Sequence, residues 1–201
     1  MRPIAGLASF LLATYVVAEL LSLAGEATGN VTGGSLPLVT IGKTVISANV
    51  LGLISLVTGV GLCTLALFGR RKVKAIRGWI ILLALLVTFL VIHSAARVSG
   101  GEMTMPSTFQ LGGMAIAFFG FWLGFGGNQG ETEMQSYIIF AALTILYWMM
   151  DLSAMPIVIG SGAPSTVFAG GGIFDSDFVW PFSATLAYNV AIRVVRRSVW
   201  A

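Results

Sequence analysis

Long apolar runs separated by short polar stretches make up most of the chain. A helix needs about 20 mostly apolar residues to cross a bilayer, and five runs meet this length. They cover residues 4–24, 45–68, 79–96, 109–127 and 136–155. A sixth run, 178–195, is weaker because it contains polar residues and Pro181, although proline is tolerated in the first turn of a helix. The pattern therefore predicts an all-α, polytopic transmembrane helix bundle with six spans.

The composition favours a surface that faces lipid. Hydrophobic residues make up 57% of the chain and charged residues only 9%, whereas a soluble domain carries about 25% charged residues. So few charges could not cover a water-facing surface, and residues 1–201 are predicted to form a single transmembrane domain. The first apolar run is also similar to a signal peptide, but it is longer than the usual apolar core of one, which favours a retained helix.

The basic residues predict how the bundle is oriented. They are concentrated in two short runs, 70–77 and 193–197, and Lys and Arg favour the cytoplasmic side of a membrane. If both termini lie inside, Lys43 and Arg97 are the only basic residues that lie outside. The prediction is a multi-pass protein of the cell membrane, with the long connections 25–44 and 156–176 outside. Nucleic-acid binding is the less favoured interpretation, since both basic runs adjoin apolar segments.

The two long outer connections are unusually apolar for loops. Both are rich in Gly, Ser, Thr and Val and are almost free of charge. Such loops could rest on the lipid headgroups, cover the outer face of the bundle, or re-enter it. Non-helical backbone at membrane depth needs burial in protein or a water-filled cavity, so the headgroup position is favoured and re-entry is left open.

A few polar residues stand out within the apolar runs, where ionisable groups are costly. At a rise of 1.5 Å per residue, six of them fall at similar depths in the predicted outer leaflet: Glu19, Asn49, His93, Arg97, Tyr147 and Asp151. We interpret them as a candidate polar or ligand site in which carboxylates and His93 hold or pass a proton. The competing and slightly favoured interpretation is structural: Glu19 pairs with Arg97, and Asp151 meets the headgroups.

No metal or cofactor is predicted from these residues. One histidine and two carboxylates could in principle bind a divalent metal, but their spacing does not require it. A single histidine excludes a bis-His haem within the chain, and no phosphate-binding glycine loop is present. Cys63 is the only cysteine, which excludes an internal disulfide. The identity of any cofactor stays open.

A stripe of small residues marks the predicted fourth helix. Gly113, Ala117, Gly120 and Gly124 lie on or near one face, and the last two form a GxxxG step. Small residues allow helix backbones to approach closely in lipid. The stripe predicts packing within this bundle, with a homo-oligomer seam between copies of the chain as the alternative.

Three classes of function fit these features. The first is a small transport or permeation module with a polar site in the outer half of the bilayer. The second is a non-catalytic subunit of a larger membrane complex, because the middle of the bundle is almost free of ionisable groups, whereas carriers usually bind near the midplane. The third is an intramembrane enzyme, the weakest of the three, because no nucleophile–base spacing is visible. The expected partners are the lipid bilayer and other membrane subunits.

Overall fold

The computed structural model describes residues 2–28, 34–68, 77–99, 102–126, 132–168 and 175–197, and these form a mostly helical structure. The described residues contain six helices. They are α1 (Arg2–Thr28), α2 (Val50–Phe68), α3 (Gly78–Ser94), α4 (Ser107–Gly124), α5 (Thr132–Gly160) and α6 (Ser176–Arg197). Each coincides with one predicted apolar run. The basic run at 70–76 lies outside the described residues.

Two helices are long and apolar enough to cross a membrane. They are Ile4–Gly25 within α1 and Met134–Gly160 within α5. Val50–Leu62 and Gly78–Ser94 are apolar but shorter. Length and composition therefore identify two candidate spans, and the six-span bundle stays a prediction.

Five short strands accompany the helices, which the all-α prediction did not include. A three-stranded sheet contains β1 (Ser35–Ile41), β2 (Thr44–Asn49) and β5 (Ser165–Phe168), and a hairpin contains β3 (Arg97–Ser99) and β4 (Glu102–Thr104). In the larger sheet, β2 is central, antiparallel to β1 and parallel to β5. The described parts of the two long connections thus supply the outer strands β1 and β5, and β2, which covers the start of the predicted second span, lies between them.

The predicted second helix began too early. Residues 45–49 form most of β2, and α2 begins at Val50. Val45 and Ile46 are β-branched and favour extended backbone, and β2 pairs on both edges. Asn49 then ends the strand and caps the helix, because its Oδ1 accepts a hydrogen bond from the backbone N of Leu51 at 2.9 Å.

Helix α5 contacts α2, α3 and α6, while α1 packs against α6 and α4, and α3 packs against α4. Because β2 leads into α2, β5 follows α5, and the two strands pair, the start of α2 and the end of α5 lie at one end of the bundle. We call this the sheet end. The main core is formed by aromatic and aliphatic side chains of α4, α5 and α6, among which Phe118, Tyr147 and Tyr188 are almost completely buried.

The small-residue stripe of α4 is occupied by α3. A Cβ added to Gly113 would lie 2.6 Å from Cγ1 of Ile92, and one added to Gly120 would collide with the side chain of Ala84. A Cβ on Gly124 would likewise meet Ile81. Ala117 is buried on the same helix. In the structure, the glycines of the stripe pack against α3 of the same chain.

Candidate functional site

Polar side chains gather near the sheet end of the bundle, mostly around α5. The sequence of α5 places Tyr147 and Asp151 one turn apart on the same face, and Ser153 follows on an adjacent face. Three neighbouring helices bring partners to these residues: α3 with His93, α4 with Gln110 and α6 with Asp177. The site is therefore built by tertiary packing of four helices.

The acidic pair, Asp151 and Asp177, is the most unusual part of this site. Asp177 is only 1% exposed. Neither of its carboxylate oxygens has a hydrogen-bond partner among the described residues. The carboxyl of Asp151 is close enough to hydrogen-bond with Asp177 when one of the two carries a proton. With both ionised, two acceptors face each other without a donor, so the geometry favours a shared proton.

The start of α6 explains how the chain holds Asp177 in place. Asp175 caps this helix: its Oδ1 accepts a hydrogen bond from the backbone N of Asp177 at 3.1 Å, and its carbonyl accepts from the backbone N of Val179 at 2.8 Å. Asp177 therefore lies in the first turn, before the predicted sixth span. Burial raises the pKa of Asp177 well above its usual value, and the nearby charges of Asp151 and Asp175 raise it further.

A second contact links α5 to α4. The hydroxyl of Tyr147 donates a hydrogen bond to Oε1 of Gln110 at 3.1 Å, and Nε2 of Gln110 donates to the carbonyl of Met105 at 2.9 Å. Tyr147 and Gln110 are both buried. The two bonds connect the bundle interior to the backbone between β4 and α4, at the same end as the acidic pair.

A third contact links α5 to α3. Nδ1 of His93 lies 3.2 Å from Oγ of Ser153, whose hydroxyl donates to the carbonyl of Met150 at 2.6 Å. With the hydroxyl proton of Ser153 used in that bond, Oγ can accept from Nδ1 of His93 in the tautomer that carries its proton on Nδ1. The ring of His93 stacks on Phe89, with their centroids 5.2 Å apart. His93 is half-buried, so part of its ring is accessible.

Replacing Tyr147 with phenylalanine should test the second contact. Tyr147→Phe leaves the buried Oε1 of Gln110 without its donor, so the free energy of unfolding should fall by about 1–3 kcal/mol. Thermal unfolding of detergent-solubilised protein would measure the change. Tyr15→Phe is the matched control, since Tyr15 is 42% exposed. Equal melting temperatures for the two variants would contradict the assigned bond.

The structure brings together three of the six residues predicted for the site. Tyr147, Asp151 and His93 all lie in the four-helix polar region. Asn49 is buried, but its side chain caps α2. Arg97 is exposed, Glu19 is half-buried on α1, and within the described residues the two form no ion pair.

The sequence analysis missed Asp177, Asp175 and Gln110. Asp177 lies one residue before the predicted sixth span, and Gln110 is the second residue of the fourth. Their positions along the chain could have indicated Asp177 and Gln110. Both are polar residues at the predicted outer ends of helices, at the depth of Asp151. The pattern Asp175-Ser176-Asp177 before an apolar run is typical of a helix start, which explains Asp175 but not the burial of Asp177.

Metal binding finds no support in the described part of the chain, where no group of three or more His, Cys, Asp or Glu side chains is placed to hold an ion. The side chain of Cys63 lies outside the described side chains. No protein-family model, curated protein or solved structure matches the chain. The function is therefore inferred from the geometry of the chain itself.

Proposed function

We propose that the chain is a multi-pass membrane protein, a small transport module that binds and releases a proton at the acidic pair of Asp151 and Asp177. The proposal places this pair in the outer half of the bilayer, with both chain termini inside. The proton is the cargo or the coupling ion, and the pair alternates between a shared-proton state and a fully ionised state.

The exposed faces of the helices support the membrane part of the proposal. Every helix carries large apolar side chains that are exposed in the structure. Examples, one from each helix, are Leu12, Val57, Leu82, Leu123, Leu152 and Leu186. Contiguous apolar surface of this extent needs a partner, and lipid covers all sides of a bundle at once. Six spans also give the orientation that the arginines favour.

The buried carboxylate of Asp177 is the observation that carries the proposal. Burying a charge without a partner costs several kcal/mol, and no basic side chain of the described residues is paired with Asp177. A purely structural role would be filled better by an apolar or amide side chain. Costly ionisable groups inside membrane proteins commonly mark proton or ion pathways, and perturbed carboxylates cluster at functional sites.

The neighbouring residues give the pair a route to the outer surface. Asp151 is half-buried, whereas Asp177 is fully buried behind it. Protons can therefore reach Asp177 through Asp151 from the sheet end. Tyr147 lies near Asp177, and its hydroxyl is bonded to Gln110.

Proton flux into liposomes tests the proposal. The purified chain would be reconstituted with a pH-sensitive dye inside, and a membrane potential would drive protons inward. Asp177→Asn and Asp151→Asn should each lower the flux by at least about tenfold, because an amide cannot carry the proton. Glu19→Gln is the control, since Glu19 lies outside the pair. Unchanged flux in both aspartate variants would overturn the proposal.

A non-catalytic subunit of a larger membrane complex is the second candidate. All seven residues of β1 are exposed, including Leu36, Leu38 and Ile41, and such a strand at the sheet end would be covered by a neighbouring protein. The same assay separates the two candidates. Flux above that of empty liposomes for the unmodified chain supports transport, whereas its absence favours the subunit.

A further inference from the structure

One face of α5 carries polar groups that continue from the acidic pair into the bundle. Thr144, Trp148 and Asp151 are spaced three and four residues apart, so they lie one above another on the helix. Thr144 and Trp148 are buried. Within the described residues, neither Oγ1 of Thr144 nor Nε1 of Trp148 has a hydrogen-bond partner. Thr144 lies seven residues from Asp151, about 10 Å deeper in the bundle.

The facing surface of α2 has a matching polar group. A Cβ added to Gly59 would lie 3.6 Å from Cβ of Thr144, so these two residues face each other. The sheet end joins the start of α2 to the end of α5, and the two helices therefore run in opposite directions. One turn from Gly59 towards the sheet end is Ser55, which lies at the level of Trp148. Ser55 is buried, and its Oγ also lacks a partner in the described part of the chain.

Packing around Ser55 supports this alignment. Leu53 and Leu56, on either side of Ser55, pack against the small core that contains Trp148 and Phe168. The rings of Trp148 and Phe168 lie 5.8 Å apart. Because Gly59 has no side chain, the backbone of α2 lies next to Thr144, and an added methyl group would fit there at ordinary contact distance.

We propose that Ser55, Trp148 and Thr144 line a hydrated column between α2 and α5, through which protons pass between the acidic pair and the interior of the bundle. This inference rests on the proposed function and names the inner half of its route. The outer half of the proton route runs through the half-buried Asp151. The column begins directly beneath this residue.

The chemistry of the three side chains fits such a column. Buried polar groups are almost always hydrogen-bonded to protein or to ordered water, and three unpartnered groups on facing surfaces are best satisfied by shared waters. A hydroxyl both donates and accepts, so Ser55 and Thr144 can relay a proton along a water chain. The indole N–H of Trp148 only donates, so it orients a water without carrying the proton itself.

Removing the hydroxyl of Thr144 tests the column. Thr144→Val keeps the shape of the side chain but cannot hydrogen-bond, and we expect proton flux in liposomes to fall by at least about fivefold. Thr144→Ser restores a hydroxyl and should retain most of the flux. The melting temperature of Thr144→Val should stay close to that of the unmodified chain, because the side chain keeps its shape and no group among the described residues loses a hydrogen-bond partner. Loss of flux would then not reflect misfolding.

Two further variants complete the experiment. Ser55→Ala should also lower the flux, whereas Thr64→Val should not, since Thr64 is exposed and already bonded to the carbonyl of Val60. If Asp177→Asn stops the flux while Thr144→Val and Ser55→Ala leave it unchanged, the proposed column is wrong. The proposed proton binding by the acidic pair is then retained. If none of these variants changes the flux, the proposed function fails and the column fails with it.

Discussion

Asp177→Asn should make the protein more stable at neutral pH while it removes proton transport. The amide fills the same space as the carboxylate but has no charge to bury, and it can donate a hydrogen bond to Asp151. We expect the free energy of unfolding to rise by about 1–3 kcal/mol at pH 7.5, the scale of relieving an unsatisfied buried polar group. Thermal unfolding in detergent, followed by tryptophan fluorescence, would measure the gain.

The pH dependence of this gain has a definite sign. Because burial raises the pKa of Asp177 in the folded chain, the folded state holds its proton more tightly than the unfolded state, where the pKa is about 3.9. The carboxyl group therefore costs nothing below that pH and destabilises the fold progressively as the pH rises through the folded-state pKa. The advantage of Asp177→Asn should be smallest near pH 4 and grow with rising pH.

The titratable groups that lie near Asp177 determine which variants serve as controls for Asp177→Asn. Asp151 and Tyr147 face it from α5, and Asp175 precedes it at the start of α6. Asp175→Asn keeps a residue type that caps helices well and removes one charge, so it should stabilise the fold less than Asp177→Asn. A loss of stability in Asp177→Asn at pH 7.5 would show that the carboxylate of Asp177 has a stabilising partner. That result would contradict the proposed acidic pair.

The positions of the helices could be predicted because each depends on a local apolar run. Residues 79–96 and 109–127 correspond to α3 and α4 with shifts of only a few residues. The strands could not be predicted in the same way. β2 is stabilised by β1 beside it and by β5, whose partner residues are about 120 positions away, as in the pairing of Val45 with Ser165. No single window of sequence contains that contact.

The sequence could indicate how far along each helix the candidate residues lie. It could not indicate which of their side chains meet. The positions of His93, Tyr147 and Asp151 along their helices place all three towards one end of the bundle. Rotation about each helix axis decides which side chains meet, and packing sets that rotation. Thus Arg97 points outward and is exposed, whereas Asp177, just outside a predicted span, is buried against Asp151.

Among the glycines that the structure describes, Gly120 should cause the largest loss of stability when it is replaced by alanine. The added Cβ would collide with the side chain of Ala84, and neither partner is a flexible side chain that can move away. The helices α3 and α4 must separate, which also strains the hydrogen bond from Thr88 to the carbonyl of Gly113. Overpacking of this kind costs about 1–3 kcal/mol, so the melting temperature should fall by roughly 5 °C or more.

The chain offers a matched control and a rescue for this variant. Gly112→Ala adds the same methyl group on the same helix, where nothing lies within 4 Å, so it should be neutral or slightly stabilising. Ala84→Gly combined with Gly120→Ala moves the methyl group to the other helix and should recover at least about 1 kcal/mol relative to the sum of the single changes. Such coupling is expected only if the stripe packs against α3 within one chain. If Gly120→Ala left the melting temperature unchanged but dissociated an oligomer, the stripe would instead be a seam between copies.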